Sequence, residues 1–423
     1  MRTRSCPRAM SGLASLALLL VVAAPAAVSA QDAQDVFDTS TFDQSVQQST
    51  QAEQKDKLET QFGGNLLYDT SGTTTADFSG YGVDGNFSGK AFVKVSVPSY
   101  GALYIAYNFS KNLYQGAYGG FPAVPGGDLY GLGYDLAEFY ASLDIGRVVF
   151  VRIGNQLLAW GPSIIWTPVD FVNLTRANPL ATLDLRVGKP GIRVTVPLGT
   201  SNFFFFADMS ETVTPTGAGG ALVVNDPVQS TNLAGRFDFT VSGFELGFTA
   251  YVGNSIQDRA GFDFSGRFLG FDVYGEFAAG LPVGVHAFTY SSSLGFQKTL
   301  GELSYWTVAG EFFFNDAGTS DTSTYASLVA SNDFTPFYVG KYYAYAAVTR
   351  THLFIDGLSS TLAGFMDISD TSFLVRLSTT VRVAAVAPFT FSLGWSGGGA
   401  GKAFTYFSGN NAITAGLQIR VEF

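Results

Sequence analysis

Apolar and polar residues alternate with a period of two along most of this chain. From Phe87 to Val97, the residues Phe87, Gly89, Ala91, Val93, Val95 and Val97 alternate with Ser88, Lys90, Phe92, Lys94 and Ser96. The run from Leu136 to Leu143 puts Ala137, Phe139, Ala141 and Leu143 on one side, and Ile192–Val196, Phe237–Val241 and Phe373–Ser378 repeat the theme. This period predicts β-strands with one apolar and one polar face. Eighteen such segments can be traced, near 60–70, 86–98, 101–109, 135–145, 148–157, 189–198, 201–208, 232–241, 244–253, 259–269, 271–280, 290–300, 303–314, 340–350, 358–368, 371–383, 388–396 and 411–423. Some of their connections are tight, as at Ile145-Gly146-Arg147, Val241-Ser242-Gly243-Phe244 and Leu269-Gly270. Many of the others are long: 110–134, 158–188, 209–231, 315–339 and 397–410.

A soluble β-sandwich alternates in the same way, but its strands are shorter and its apolar faces meet in one dry core. Here the polar face keeps carrying charge: Lys90, Lys94, Glu138, Arg152, Arg193, Arg236, Asp238, Glu245, Arg376 and Arg420, with Gln156 beside them. Charges of both signs on the inward parity suit a water-filled lumen with no single-sign ring. No stretch after residue 30 has the run of about 18 apolar residues that a transmembrane helix needs. In hydrocarbon every backbone N–H and C=O must be paired internally, so a sheet there closes on itself. The predicted fold is all-β: a single transmembrane antiparallel barrel of about 16–18 strands over 60–423, with short periplasmic turns and long extracellular loops. An even strand number puts both barrel ends in the periplasm.

Composition supports this picture. Aromatic residues make up 15% of the chain and charged residues 14%, with 39 Phe and 49 Gly. A formal net charge of −10 excludes a nucleic-acid binder driven by counterion release. Tyr100, Tyr104, Tyr107, Trp395 and Tyr406 are candidates for the interfacial aromatic girdles.

The N-terminus predicts export. Arg2, Arg4 and Arg8 precede an apolar stretch from Leu13 to Ala23, and Ala27-Val28-Ser29-Ala30 offers a cleavage site. Residues 1–30 read as a cleaved signal peptide. Its loss removes Cys6, the sole cysteine, and takes the net charge from −10 to −13. Residues 31–59 are polar and acidic without alternation, and read as a periplasmic leader.

The third external loop, 158–188, is unusual for a surface segment. Trp160, Pro162, Ile164, Ile165, Trp166 and Pro168 crowd into it, followed by Asp170, Asn173 and Arg176. That composition predicts a segment folded inward against the wall. Phe203–Phe206 and Phe312–Phe314 put rings on both faces of their strands, so some of these enter the lumen. His286 and His352 lie on separate segments with no Ser or Asp at diagnostic spacing. No catalytic residue, metal or cofactor is expected, and no enzymatic activity.

The chain ends Leu417-Gln418-Ile419-Arg420-Val421-Glu422-Phe423. In this terminal phenylalanine, and in its overall layout, it resembles bacterial outer-membrane β-barrel proteins of the porin type. The resemblance implies that Phe423 is an assembly signal read by the barrel-assembly machinery. In trimeric general porins the third external loop narrows the pore, which implies a constriction role for Trp160, Trp166, Asp170, Asn173 and Arg176. The run Gly154-x-Gln156-x-x-x-Trp160-Gly161, followed by Pro168-x-Asp170-x-x-Asn173, also looks like a motif of other outer-membrane barrel families. The expected function is passive diffusion of small hydrophilic solutes across the bacterial outer membrane. A channel for fatty acids or aromatics stays open as an alternative, as does a non-conducting adhesin or structural barrel. The expected partners are outer-membrane lipid, the assembly machinery and small-molecule solutes, not nucleic acid; a homo-oligomer is compatible with an apolar wall.

Overall fold

The computed structural model describes residues 57–97, 100–118, 131–173, 179–216, 221–254, 256–282, 287–301, 305–331, 333–384 and 387–423. The expected signal peptide, nearly all of the leader, Arg176 and His286 lie outside them.

The strands are β1 (Glu59–Thr75), β2 (Tyr81–Val97), β3 (Gly101–Tyr118), β4 (Gly133–Ile145), β5 (Val149–Gln156), β6 (Lys189–Leu198) and β7 (Ser201–Asp208). Next come a loop hairpin, β8 (Val213–Thr216) with β9 (Ala221–Val224), and then β10 (Asn232–Val241), β11 (Phe244–Val252), β12 (Arg259–Phe268) and β13 (Phe271–Gly280). The wall continues through β14 (Thr289–Leu300), β15 (Trp306–Asn315), β16 (Tyr342–Arg350), β17 (Leu358–Asp367), β18 (Ser372–Ala384), β19 (Ala387–Gly397) and β20 (Ala412–Glu422). Apart from the β8–β9 hairpin, each strand pairs antiparallel with its neighbours in sequence, and β1 pairs with β20. The result is a closed 18-stranded barrel. Closure leaves no unpaired edge. Among the described residues no helix is long and apolar enough to cross a membrane.

Parity sorts the side chains as the alternation predicts. On β10, Arg236 and Asp238 are buried on the inner side while Leu233, Phe237 and Phe239 face out. On β7, Phe204 and Phe206 enter the interior and Phe203 and Phe205 face lipid. The turn rim is made of tight hairpins. Ser242–Gly243 and Leu269–Gly270 each hold two consecutive residues at positive φ, the geometry that matches the right-handed twist of the flanking strands. Both barrel ends, Glu59 and Glu422, lie at this rim.

Three expectations need correction. β1, β2 and β3 are longer than the alternation suggested, and part of the expected loop 110–134 is strand up to Tyr118. Near the loop rim polar side chains enter their outward positions: Tyr114 Oη bonds Thr70 Oγ1 at 2.5 Å and Tyr68 Oη at 3.3 Å. A wall that rises beyond the lipid loses the continuous apolar face that would betray it. Tyr104 is not in a girdle; it points inward and stacks on Tyr140 at 5.1 Å. Tyr406 packs on Phe334 and Tyr325 within the external loops. Tyr107 and Trp395 do face outward.

Candidate functional site

The segment 157–188, between β5 and β6, is the third connection at the loop rim and is called loop 3 here. Its first limb, 157–173, folds inward against the wall. Leu158, Trp160, Val169, Phe171 and Val172 are buried against Phe206, Ala234, Tyr251 and Ala278 of β7, β10, β11 and β13. Ile165 and Trp166 are buried in a second cluster with Phe313, Tyr343 and Phe365 of the wall and with Phe337 and Phe404 of two other loops. Trp166 is fully buried, lies nearly parallel to Phe313 at 5.4 Å, and donates its Nε1–H to the Phe337 carbonyl at 2.9 Å. Replacing such a ring by alanine costs about 3–5 kcal/mol.

Two wall carboxylates hold the backbone of this loop. Glu311 on β15 accepts from the amides of Ile164, Ile165 and Trp166 at 3.0, 3.1 and 2.8 Å, and from Tyr274 Oη at 3.1 Å. Glu276 on β13 accepts from the amides of Ser163 and Val169 at 2.9 and 3.0 Å. The Ser163 and Ser293 hydroxyls share a further bond of 2.7 Å. A peptide turn inside a barrel has amides without ladder partners, and buried donors must be satisfied. A carboxylate supplies several lone-pair sites at once, and its bonds are charge-assisted.

The return limb reaches other strands. Thr182 Oγ1 donates to Gln418 Oε1 on β20 at 2.6 Å, and Asn108 Nδ2 on β3 donates to the Leu185 carbonyl at 2.7 Å. Arg186 ties the two limbs together, with Asp184 at 2.7 Å and Asp170 at 3.4 Å. Burial pushes the Asp170 carboxyl up to about 7 against the pull of Arg186. Asp184, although also desolvated, is held below the usual carboxylate range by the Arg186 guanidinium. Asn173 Nδ2 bonds Asp170 Oδ2 at 3.3 Å. Between loop 3 and β12–β15 lies a cavity of about 300 Å³, bordered by Asp170, Asn173, Arg186, Arg259, Ser291 and Asn315.

The inward charges fall into two groups. Arg236 meets Asp263 at 2.6 Å and Asp238 at 2.8 Å, and all three are buried. Lys90 pairs with Glu138 at 3.0 Å, and Lys189 with Asp208 at 3.2 Å. Elsewhere the cations have other company. Arg152 and Arg193 stand directly opposite each other on β5 and β6. The Arg152 guanidinium lies 4.2 Å over the Tyr140 ring, and its Nη1 is buried with no hydrogen-bond partner among the described residues. Arg193 lies 5.6 Å over the Phe204 ring. Lys94 and Arg376 are inward on β2 and β18, and Arg420 on β20 pairs with Glu422 at 2.6 Å. Glu245 is inward and exposed near the turn rim. Gln156 faces inward but is fully buried, its Nε2 close to the carbonyls of Arg152 and Gly191.

Sequence reasoning overlooked Glu276, Glu311, Asp184 and Arg186. Glu276 and Glu311 do carry a trace of a signal, each being an acid at inward parity within an otherwise apolar or small-residue run. The terminal Phe423 pairs its N–H and carbonyl with Gly64, and its ring is exposed.

No protein-family model matches the chain, and no curated protein resembles it in sequence. Solved structures do resemble it. Pseudomonas aeruginosa OccK9 (OpdG) aligns at a TM-score of 0.55 with 10% identity, over 86% of this chain and 99% of that one. A BenF-like porin from Pseudomonas fluorescens Pf-5 aligns at 0.54 with 12% identity, covering 86% and 98%. Pseudomonas aeruginosa OpdK, solved with vanillate, gives 0.54 at 10% identity over the same shares. At such identities the likeness is one of architecture, and it places this chain among barrels of the porin fold.

Proposed function

We propose that the protein is an outer-membrane channel for small hydrophilic solutes, constricted by loop 3, with a preference for anions such as carboxylates. The observation that carries this reading is the inward fold of loop 3, latched by Glu276 and Glu311 across from the Arg152–Arg193 pair. The latch occupies Glu276 and Glu311, and the inward cations Lys94, Arg152, Arg193 and Arg376 contribute positive field along the path of a passing solute. Like charges directly opposite on neighbouring strands are destabilising, and a permeating anion offsets that cost. The vanillate seen with OpdK is a solute of that kind.

The test is planar-bilayer recording of the refolded protein. Discrete openings with an anion-selective reversal potential are expected. Removal of Pro162–Asn173, with folding intact, should raise the conductance. A conductance below a few picosiemens, or cation selectivity, would overturn the reading.

A further inference from the structure

The outer wall carries a feature that conduction does not use. On β14–β16 the outward side chains Phe296, Val308, Phe312 and Val348 surround a groove of about 590 Å³. Its floor is low because Gly310 and Ala346 face each other in register at its centre. One outward position nearer the turn rim, the same face changes character. Lys298 follows Phe296 on β14, Trp306 precedes Val308 on β15, and Arg350 follows Val348 on β16. Lys111, Lys298 and Arg350 are the charged side chains at outward positions of the described strands. Two of them therefore stand together, at the foot of the groove.

Both rest on rings. Lys298 Nζ lies 4.1 Å from the Phe271 centroid, and the Arg350 guanidinium lies 5.0 Å from that of Trp306 and 5.1 Å from that of Tyr305. A ring face holds a cation without neutralising it, so the positive charge is left for another partner. We propose that this face binds an anionic glycerophospholipid, with an acyl chain in the groove and the phosphodiester between Lys298 and Arg350.

The order of parts matches such a lipid. The apolar groove lies toward the bilayer centre, and the cations and Trp306 lie at the depth where headgroups and interfacial tryptophans sit. Lys298 and Arg350 are two strands apart and offset along them, which places their Cα atoms about 12 Å from each other. Two long side chains can close that gap on one phosphate. A second copy of the chain is a poorer occupant, since it would bury both cations in an apolar contact without a counter-charge. A zwitterionic lipid would fill the groove but leave the cations unanswered. The inference needs the barrel to lie in a bilayer and is independent of whether it conducts.

Trp306 is a built-in probe. Trp160 and Trp166 are buried under loop 3, so W395F leaves Trp306 as the tryptophan facing lipid. In bilayers that mix phosphatidylglycerol with phosphatidylcholine, chain-brominated phosphatidylglycerol should quench Trp306 as if enriched about 25-fold at the site, roughly fivefold for each cation. K298Q/R350Q should bring that ratio close to unity, K298R/R350K should preserve it, and A346F, which fills the groove, should lower it. An equal ratio in wild type and K298Q/R350Q would overturn the proposal, and an unaffected A346F would overturn the acyl-chain half of it. Native mass spectrometry of the wild-type protein gives a readout free of folding effects. Retention of phosphatidylglycerol over phosphatidylcholine is expected, and equal retention counts against the site. Single-channel conductance should be the same in every variant, which separates this result from the channel reading.

Discussion

Two stretches of the inner wall carry charged side chains at the same parity and treat them in opposite ways. From β10 to β15, Asp238 and Asp263 close on Arg236, while Glu276 and Glu311 take five amides of loop 3 between them. Around β5 and β6, Arg152 faces Arg193 across a strand pair and leans on a ring. The first arrangement gives each of these five charges buried partners and contributes rigidity. The second places like charges together, which a purely structural role does not reward. On the proposed reading, the acids of the first stretch latch loop 3 and the facing arginines of the second meet the permeating solute.

The comparison breaks most visibly at Glu311. E311Q leaves one amide oxygen where a carboxylate served three amides and a phenol, and removing one partner of a buried charged network costs about 3–5 kcal/mol. A lower heat-modification temperature and strong fluctuations of the open-channel current are expected. Unchanged values would mean that Trp166 packing alone holds loop 3. R236Q should weaken the fold by a similar amount, because it strands Asp238 and Asp263, and it should leave ion selectivity as it was. R152Q/R193Q should do the reverse: the anion-to-cation permeability ratio falls several-fold while stability is kept or slightly raised. If the two substitutions behave alike, the division between the walls is wrong.

A smaller effect is expected with pH. Burial favours the neutral form of Asp170, so its negative charge appears as pH rises through about 7. Anion preference should therefore decline between about pH 5.5 and pH 8.5, by less than twofold, and D170N should abolish the change in reversal potential. Least affected of all should be the folded barrel of F423A, because the Phe423 ring is exposed and its bonds to Gly64 are backbone ones. If Phe423 is an assembly signal, the loss instead appears in cells, as reduced outer-membrane insertion with export intact.

The alternation at Phe87–Val97 or Phe237–Val241 made the wall legible because lipid imposes one rule at every second residue. The strand number, the connection order and the inward parity of Arg152, Arg193 and Arg236 all follow from that rule. It fails where lipid ends, at the polar tops of β1–β3. It also says nothing of which inward charges meet. Arg236 and Arg193 are alike as letters; Asp263, two strands away from Arg236 in the closed wall, distinguishes them.

Loop 3 shows the boundary between the two sources of information. Its tryptophans and prolines marked it as a segment that packs, since such side chains gain most from leaving water. Where it packs depended on Glu276 and Glu311, more than a hundred residues further along. Closing the barrel brings them opposite its amides. Sequence by itself determined a period-two wall and an apolar insertion, because both arise from neighbours in the chain and the solvent around them. Only the tertiary structure decided which charges are neutralised, because that depends on strands brought together by closure.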